Sequence, residues 1–176
     1  MPQYLKNRVA FVGEIGSGKS YMSQWLEKHH NYKVFSFAHE LKEIATKYYN
    51  MKKGSKDRKL LQTLGDAMRS VDKDVFARYA LKRISAYEED LATALSDKRV
   101  VIDDLRFENE YAALRNVEGV AYVIIRVTSR LKASTEQDEH QSETQSRSLR
   151  ADYEIKSGDF QELIRVLSDT AKNTRG

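Results

Sequence analysis

Three glycines, a lysine and a serine are spaced in Gly13-Glu14-Ile15-Gly16-Ser17-Gly18-Lys19-Ser20 so as to match the phosphate-binding loop pattern G-x-x-x-x-G-K-[ST] at every fixed position. Glycine lets the backbone curl until successive N–H groups point inward, and a helix beginning near Gly18 turns its positive end to the same point. Such a nest binds phosphate. Lys19 would reach the terminal phosphates of a nucleoside triphosphate, and Ser20 would offer its hydroxyl to a magnesium ion bridging them.

A second chemical signal lies ninety residues on. Val100-Val101-Ile102-Asp103-Asp104 is an apolar run ending in two acids, the form of a Walker B strand. A carboxylate at that strand end can hold magnesium or its water shell, or meet the group that receives phosphate. Side chains alternate along a strand, so a regular strand aims one of the two into the cleft. Arg106, two residues past Asp104, would point the same way, either to clamp an anion or to pair with Asp104. Arg69 follows a helical tract, Leu60, Leu61, Leu64 and Met68, that is interrupted by Gly65. A helical glycine costs about 1 kcal/mol relative to alanine, which signals close packing or a ligand passing near.

These groups need elements to carry them. Residues 8–12, 34–38, 100–104, 120–127 and 151–157 read as short strands, and the first of them runs straight into the glycine loop. Helical periodicity marks 19–30, 39–51, a tract around 60–68, 73–95, a segment reaching Asn116, and 159–172. Tyr21, Met22, Trp25 and Leu26 form the expected inner face of the first helix, and Asp72 reads as the N-cap of the fourth. Strands alternating with helices predict an α/β fold with a parallel sheet. Ligands then gather at the carboxyl ends of the strands, which puts Phe37 beside the phosphate site as a base-stacking or a core aromatic. The basic loop 52–58 reads as a solvated turn or the rim of an anion site. From Arg130 to Arg150 there is no aromatic, valine or isoleucine, so the stretch cannot build its own core. A connection of that length is disordered or a lid, and Arg130, Lys132, Arg147 and Arg150 could fold over phosphates.

Composition bounds the class. The chain has 176 residues, enough for one domain with a sizeable core. Lys+Arg exceed Asp+Glu by 30 to 26, a balance that suits small anions and argues against a nucleic-acid-coating protein. There is no cysteine, hence no disulfide framework or thiolate metal site, and a cytoplasmic setting fits. No apolar run approaches the roughly 18 residues that a membrane span needs.

Taken together, these segments resemble the bacteriophage-type deoxynucleoside monophosphate kinases, a branch of the P-loop nucleotide kinases. The resemblance is carried by the glycine loop, Phe37-Ala38-His39-Glu40-Leu41-Lys42, Leu61-Gln62-Thr63-Leu64-Gly65 with Arg69, Asp104-Leu105-Arg106-Phe107-Glu108-Asn109-Glu110, His140-Gln141-Ser142-Glu143, and 152–158. It implies a five-stranded parallel sheet flanked by helices in a single domain, 1–176. The core would comprise about 7–38, 98–129 and 151–176, a helical monophosphate-binding region about 39–97, and a lid about 130–150. ATP would be bound by Gly13, Ile15, Gly16, Ser17, Gly18, Lys19, Ser20 and Tyr21, with Mg2+ on Ser20 and Asp104. The monophosphate would meet Phe37, Lys42, Arg69, Asp104 and Arg106, and Lys19, Arg106 and Arg130 would be catalytic. The chain departs from the family's usual pattern at Glu108, where proline is common, at Lys156, where asparagine is common, and at Arg130, which stands one place later than expected.

The implied reaction is ATP-dependent phosphorylation of deoxynucleoside monophosphates, serving nucleotide supply in phage DNA synthesis, with small-molecule nucleotides as partners and a homodimer as a candidate assembly. Two other readings compete. A P-loop kinase can act on an alcohol, a dephospho-coenzyme or a DNA hydroxyl, for which Asp104 would serve as base. A non-enzymatic ATP-driven switch would instead show a salt-sensitive complex with nucleic acid.

Overall fold

The computed structural model describes residues 4–90, 98–129 and 140–173. Five strands, β1 (Arg8–Val12), β2 (Tyr32–Phe35), β3 (Arg99–Leu105), β4 (Val123–Thr128) and β5 (Tyr153–Lys156), form one sheet in the order β2-β3-β1-β4-β5, and every pairing is parallel. The helices are α1 (Lys19–His30), α2 (His39–Tyr49), α3 (Arg58–Val71), α4 (Val75–Glu89), α5 (Glu108–Arg115), α6 (Gln141–Ser148) and α7 (Phe160–Asn173). The expected α/β fold with a five-stranded parallel sheet is what the chain adopts.

Alternation along the strands divides the core in two. Ala10, Val12, Val100, Ile102 and Ile124 face one side, where they meet Leu41, Phe76, Ala80, Ile84 and Leu114. Val9, Phe11, Val101, Val123, Ile125 and Val127 face the other, against Met22 and Leu26 of α1 and Leu163 and Leu167 of α7. Strands covered on both faces must be apolar at nearly every position, which is why the runs are continuous rather than alternating in polarity. Burying these side chains is the main stabilisation of the fold, on the order of 2 kcal/mol for each large apolar residue.

β1 and α1 coincide with their expected ranges. Elsewhere the structure shifts boundaries for identifiable reasons. β2 begins at Tyr32, because the tyrosine is buried and its hydroxyl donates to Lys6 O at 2.5 Å. It ends at Phe35, because Ser36 to Ala38 leave the sheet for a turn described below. The N-cap of α4 is Asp74, not Asp72; the Asp72 carboxylate instead accepts the Asp74 N–H at 3.0 Å. Tyr21 is not part of the inner face of α1: it is 57% exposed, whereas Met22 and Leu26 are fully buried. Tyr48, Tyr49 and Tyr79 are likewise exposed.

The stretch read as unable to build a core contains α6, which no apolar periodicity announces. It packs through polar groups: Ser142, Glu143 and Ser146 are buried, and Arg126 Nη2 of β4 donates to Ser146 O and Leu149 O at 3.1 and 2.6 Å. Arg130 and Lys132 lie outside the described residues, as does the end of the expected fourth helix. Among the described residues no helix is long and apolar enough to cross a membrane.

Candidate active site

β1 stands at the centre of the sheet, so the loop that follows it opens at the strand ends between β3 and β4. This is where a crevice forms in parallel α/β sheets. Gly18 is the hinge between loop and helix. Its φ of 99° is left-handed, and a Cβ there would fall 2.0 Å from Ser157 Oγ. Glycine is therefore required twice over, by backbone and by the approach of the β5–α7 connection.

Lys19 is buried and folded back on its own loop, donating to Gly13 O at 2.6 Å and Glu14 O at 2.8 Å. Burial, reinforced by the nearby Arg106 guanidinium, holds its ammonium down to about 8, against the pull of Glu143, Asp104 and Asp103. A lysine carrying this desolvation cost is stabilised by any anion that enters the loop.

The two acids of β3 play different parts. The register between β1 and β3 slips between Ala10 and Val12, which pair with Ile102 and Leu105, so β3 accommodates one extra residue across Asp103 and Asp104. An irregularity of this kind breaks the alternation that would aim only one acid inward, and both carboxyls line the same cleft. Asp104 is consumed by the turn after β2. Its Oδ1 accepts the Phe37 N–H at 2.8 Å, and its Oδ2 accepts the Ala38 N–H at 3.0 Å and the Ser36 hydroxyl at 2.5 Å. Among the described residues Asp103 carries no such set of donors. Burial and the neighbouring Asp104 charge push its carboxyl up to about 7, with Lys42 and Lys19 pulling the other way.

On the far side, Arg69 of α3 lies over the Phe107 ring at 4.0 Å and the Phe76 ring at 4.8 Å. Both contacts are of cation–π range. The expected role of Gly65 as a packing glycine is met here, since a Cβ on it would sit 2.9 Å from Arg69 Nη1 and 3.2 Å from Leu41 Cδ2. Beneath the arginines Glu110 is buried, its Oε2 accepting the N–H groups of Arg106 and Phe107 at 3.0 and 3.1 Å. Burial and the Asp104 charge push this carboxyl up to about 8. Arg106 forms its ion pair with Glu143 at 3.8 Å; among the described residues it forms none with Asp104.

One cavity of about 390 Å3 joins these parts. Ile15 to Tyr21, Arg69, Arg106, Phe107, Asp103 and Asp104 all line it. Phe37, Lys42 and His140 also face it, as do Lys56 and Arg58 of the basic loop, which favours the anion-rim reading of that loop over a purely solvated turn. Phe37 is both core and cleft wall, 3% exposed within the first apolar cluster. Of the residues singled out from the sequence, Ile15 to Tyr21, Phe37, Lys42, Arg69, Asp104 and Arg106 are brought together; Gly13 supports Lys19 from behind, and Arg130 lies outside the described residues. Asp103, Glu110 and Glu143 were missed as separate participants. Asp103 was visible as the second acid of its pair, but the burial of Glu110 and Glu143 depends on contacts distant in sequence.

The oxygen donors fit a hard cation. Ser20 and the β3 carboxyls share the cleft, while among the described residues no three His, Cys, Asp or Glu side chains converge as a cage. Magnesium is commonly held in just this way, by one or two protein oxygens with phosphate and water completing its shell.

No protein-family model matches the chain, and neither does any curated protein. Among solved structures, TT1252 from Thermus thermophilus aligns with a TM-score of 0.51 and 18% identity over 98% of this chain and 100% of that one. A sugar kinase from Janibacter sp. HTCC2649, in an unliganded structure, aligns with a TM-score of 0.46 and 14% identity over 94% and 92%. At such identities the likeness is one of fold. What is shared is the parallel α/β architecture.

Proposed function

We propose that the protein is an ATP-dependent phosphotransferase whose acceptor is a deoxynucleoside monophosphate. The observation that carries this reading is one cleft lined jointly by phosphate-binding-loop residues Ile15 to Ser20, two further cationic side chains, Arg69 and Arg106, and both acids of β3. A loop that only sensed ATP would have no use for the added arginines. Cationic groups beyond the loop are what an acceptor monophosphate bound beside a donor triphosphate requires.

In the reaction an oxygen of the acceptor phosphate attacks the γ-phosphorus of ATP, the bond to the β–γ bridging oxygen breaks, and ADP leaves. The acceptor is already anionic, so no base is needed; catalysis consists of alignment and charge neutralisation. Lys19 turns from Gly13 O and Glu14 O toward the incoming phosphates. Arg69, its guanidinium braced on two aromatic rings, and Arg106 hold the acceptor phosphate, while Phe37, Lys42 and the start of α2 form the wall nearest the base. Ser20 and a β3 carboxyl would hold magnesium, which when bound neutralises the phosphate oxygens. With Asp104 committed to the turn at 36–38, Asp103 is the better carboxyl for that task. We assign α2 to α4 to acceptor binding and the segment 130–150 to a closing lid, with Arg130 as its candidate cation.

The carboxyl of Asp103, lining the cleft while Asp104 is committed to the turn at 36–38, favours one second reading. A carboxyl at that strand end is suited to remove a proton from an alcohol acceptor. ADP production across the common ribo- and deoxynucleoside monophosphates, with oligonucleotides and dephospho-coenzymes in parallel, separates the two. Transfer to deoxynucleoside monophosphates supports the proposal, and transfer confined to alcohols overturns it. Lys19→Ala should abolish transfer while leaving the chain folded; near-normal turnover would sink the assignment of the loop.

A further inference from the structure

Glu143 is only 2% exposed, yet it is incompletely used by the fold. Its Oε2 accepts the Ile15 N–H of the glycine loop at 3.1 Å. Among the described residues its Oε1 is buried without a hydrogen-bond partner and faces Arg106 Nη1 at 3.8 Å, and Arg106 Nε is also buried without one. Capping a loop amide requires only a neutral acceptor, and a glutamine would serve. A carboxylate with one oxygen left over costs desolvation that loop capping alone does not offset.

That remaining oxygen faces the acceptor side of the cleft. At 3.8 Å the contact is too long for a hydrogen bond but well within the range of charge attraction in a partly desolvated site. It orients the guanidinium without occupying its N–H donors, which stay available to a phosphate. The helix that carries Glu143 is pinned at several points. Arg147 Nε donates to Glu14 Oε1 at 2.9 Å, Gln145 Oε1 accepts the Glu108 N–H at 3.0 Å, and His140 Nε2 lies 3.1 Å from Asp66 Oδ2 on α3. α6 is thus fastened to the donor loop on one side and to acceptor-side elements on the other. Its buried carboxylate stands where the two meet.

We propose that Glu143 is a positioning residue that sets Arg106 relative to the glycine loop, so that one carboxylate couples the donor cradle to the acceptor clamp. This rests on the reading of Arg106 as an acceptor-binding group. Three consequences distinguish coupling from a purely structural role. Glu143→Gln keeps an acceptor for the Ile15 N–H but loses the charge that faces Arg106. Its KM for ATP should therefore stay within about twofold, while kcat/KM for the monophosphate falls about tenfold or more. Glu143→Ala removes both contacts and should raise the KM for ATP as well. Finally, Glu143→Gln added to Arg106→Gln should cost less than about a further twofold, because there is no longer an arginine to position.

The experiment is steady-state kinetics of the full chain with ATP and its best monophosphate, for wild type, Glu143→Gln, Glu143→Ala, Arg106→Gln and the double Glu143→Gln, Arg106→Gln variant, with thermal unfolding of each. If Glu143→Ala does not fold, Glu143→Gln still decides. The expected pattern is selective loss on the acceptor side, non-additivity with Arg106→Gln, and an unfolding midpoint close to wild type for Glu143→Gln. Unchanged kinetics, equal losses toward both substrates, or additive losses overturn the coupling. A wild-type protein that transfers phosphate to no monophosphate overturns the proposed function and this inference together. An active wild type with an indifferent Glu143→Gln overturns this inference alone.

Discussion

Asp104 Oδ1 accepts the backbone N–H of Phe37 at 2.8 Å, so a carboxylate of β3 fixes the turn that aims α2 at the cleft. Two amides and a hydroxyl converge on this one group. Its removal strands two backbone donors, and hydrogen bonds to charged groups contribute about 1.5–3 kcal/mol each. Asp104→Ala should accordingly destabilise the fold by about 2–4 kcal/mol. Asp103→Asn, by contrast, replaces a carboxyl whose burial already disfavours its charge and should leave stability at pH 7 unchanged or slightly higher while turnover falls at least about a hundredfold. Urea unfolding of both variants, set beside their kinetics, checks the division of labour. Equal loss of stability in the two would refute it.

Gly65 and Arg69 supply a second test. Alanine is the better helix former by about 1 kcal/mol, yet its Cβ would crowd Arg69 Nη1 at 2.9 Å. The crowded atom is the tip of a flexible side chain, so the conflict is relieved by moving the guanidinium off the Phe107 ring rather than by opening the helix. Gly65→Ala should keep or slightly raise the unfolding midpoint and leave the KM for ATP in place. The KM for the monophosphate should rise about tenfold. A loss of stability without a change in that KM would show that Leu41, not Arg69, is what the glycine accommodates.

Which of these features could be read beforehand follows from the range of the interactions behind them. The glycine loop, β1 and α1 rest on neighbours in sequence, and their ranges stand as expected. The turn at 36–38 depends on Asp104, almost seventy residues away, so the second strand was drawn too long at its end. Tyr32 lies outside the expected second strand because what ties it in, the bond of its hydroxyl to Lys6 O, is distant in sequence. α6 has no apolar face to announce it; what holds it are Arg126, Glu14 and the Ile15 amide, none of them local. Likewise, the alternation rule applied to Asp103 and Asp104 assumed a regular strand. The register slip opposite Ala10 to Val12 is a property of the pairing, which no single strand encodes.

Glu110 gives a pH dependence with a definite sign. Its carboxyl is shifted from 4.5 to about 8 by burial and by Asp104. Between those values the unfolded chain releases the proton and the folded chain keeps it. The folded state then binds more protons, and stability falls as pH rises through this window. Glu110→Gln preserves a neutral acceptor for the Arg106 and Phe107 amides and has no proton to lose. Its contribution to the decline should vanish, so the variant should gain on wild type steadily from pH 5 to 8. Parallel unfolding curves across that range, with no relative gain, would contradict the assignment.

Lys19 titrates in the opposite sense. Its ammonium is held down to about 8 from 10.5, chiefly by burial and then by Arg106. Below 8 both folded and unfolded chains are protonated there, and the fold bears the full cost of the buried charge. Between 8 and 10.5 the unfolded chain holds the proton that the folded chain has released, so this group's contribution to stability rises with pH. Phosphates entering the loop reverse the local balance and favour the charged lysine. At pH 8.5, where the free protein is about three-quarters deprotonated at this lysine, ATP binding should therefore take up a proton fraction approaching about 0.75 per site. Titration calorimetry in two buffers of different ionisation enthalpy measures that uptake directly. Lys19→Met should abolish it, and wild-type binding without uptake would mean that this lysine does not meet the phosphates.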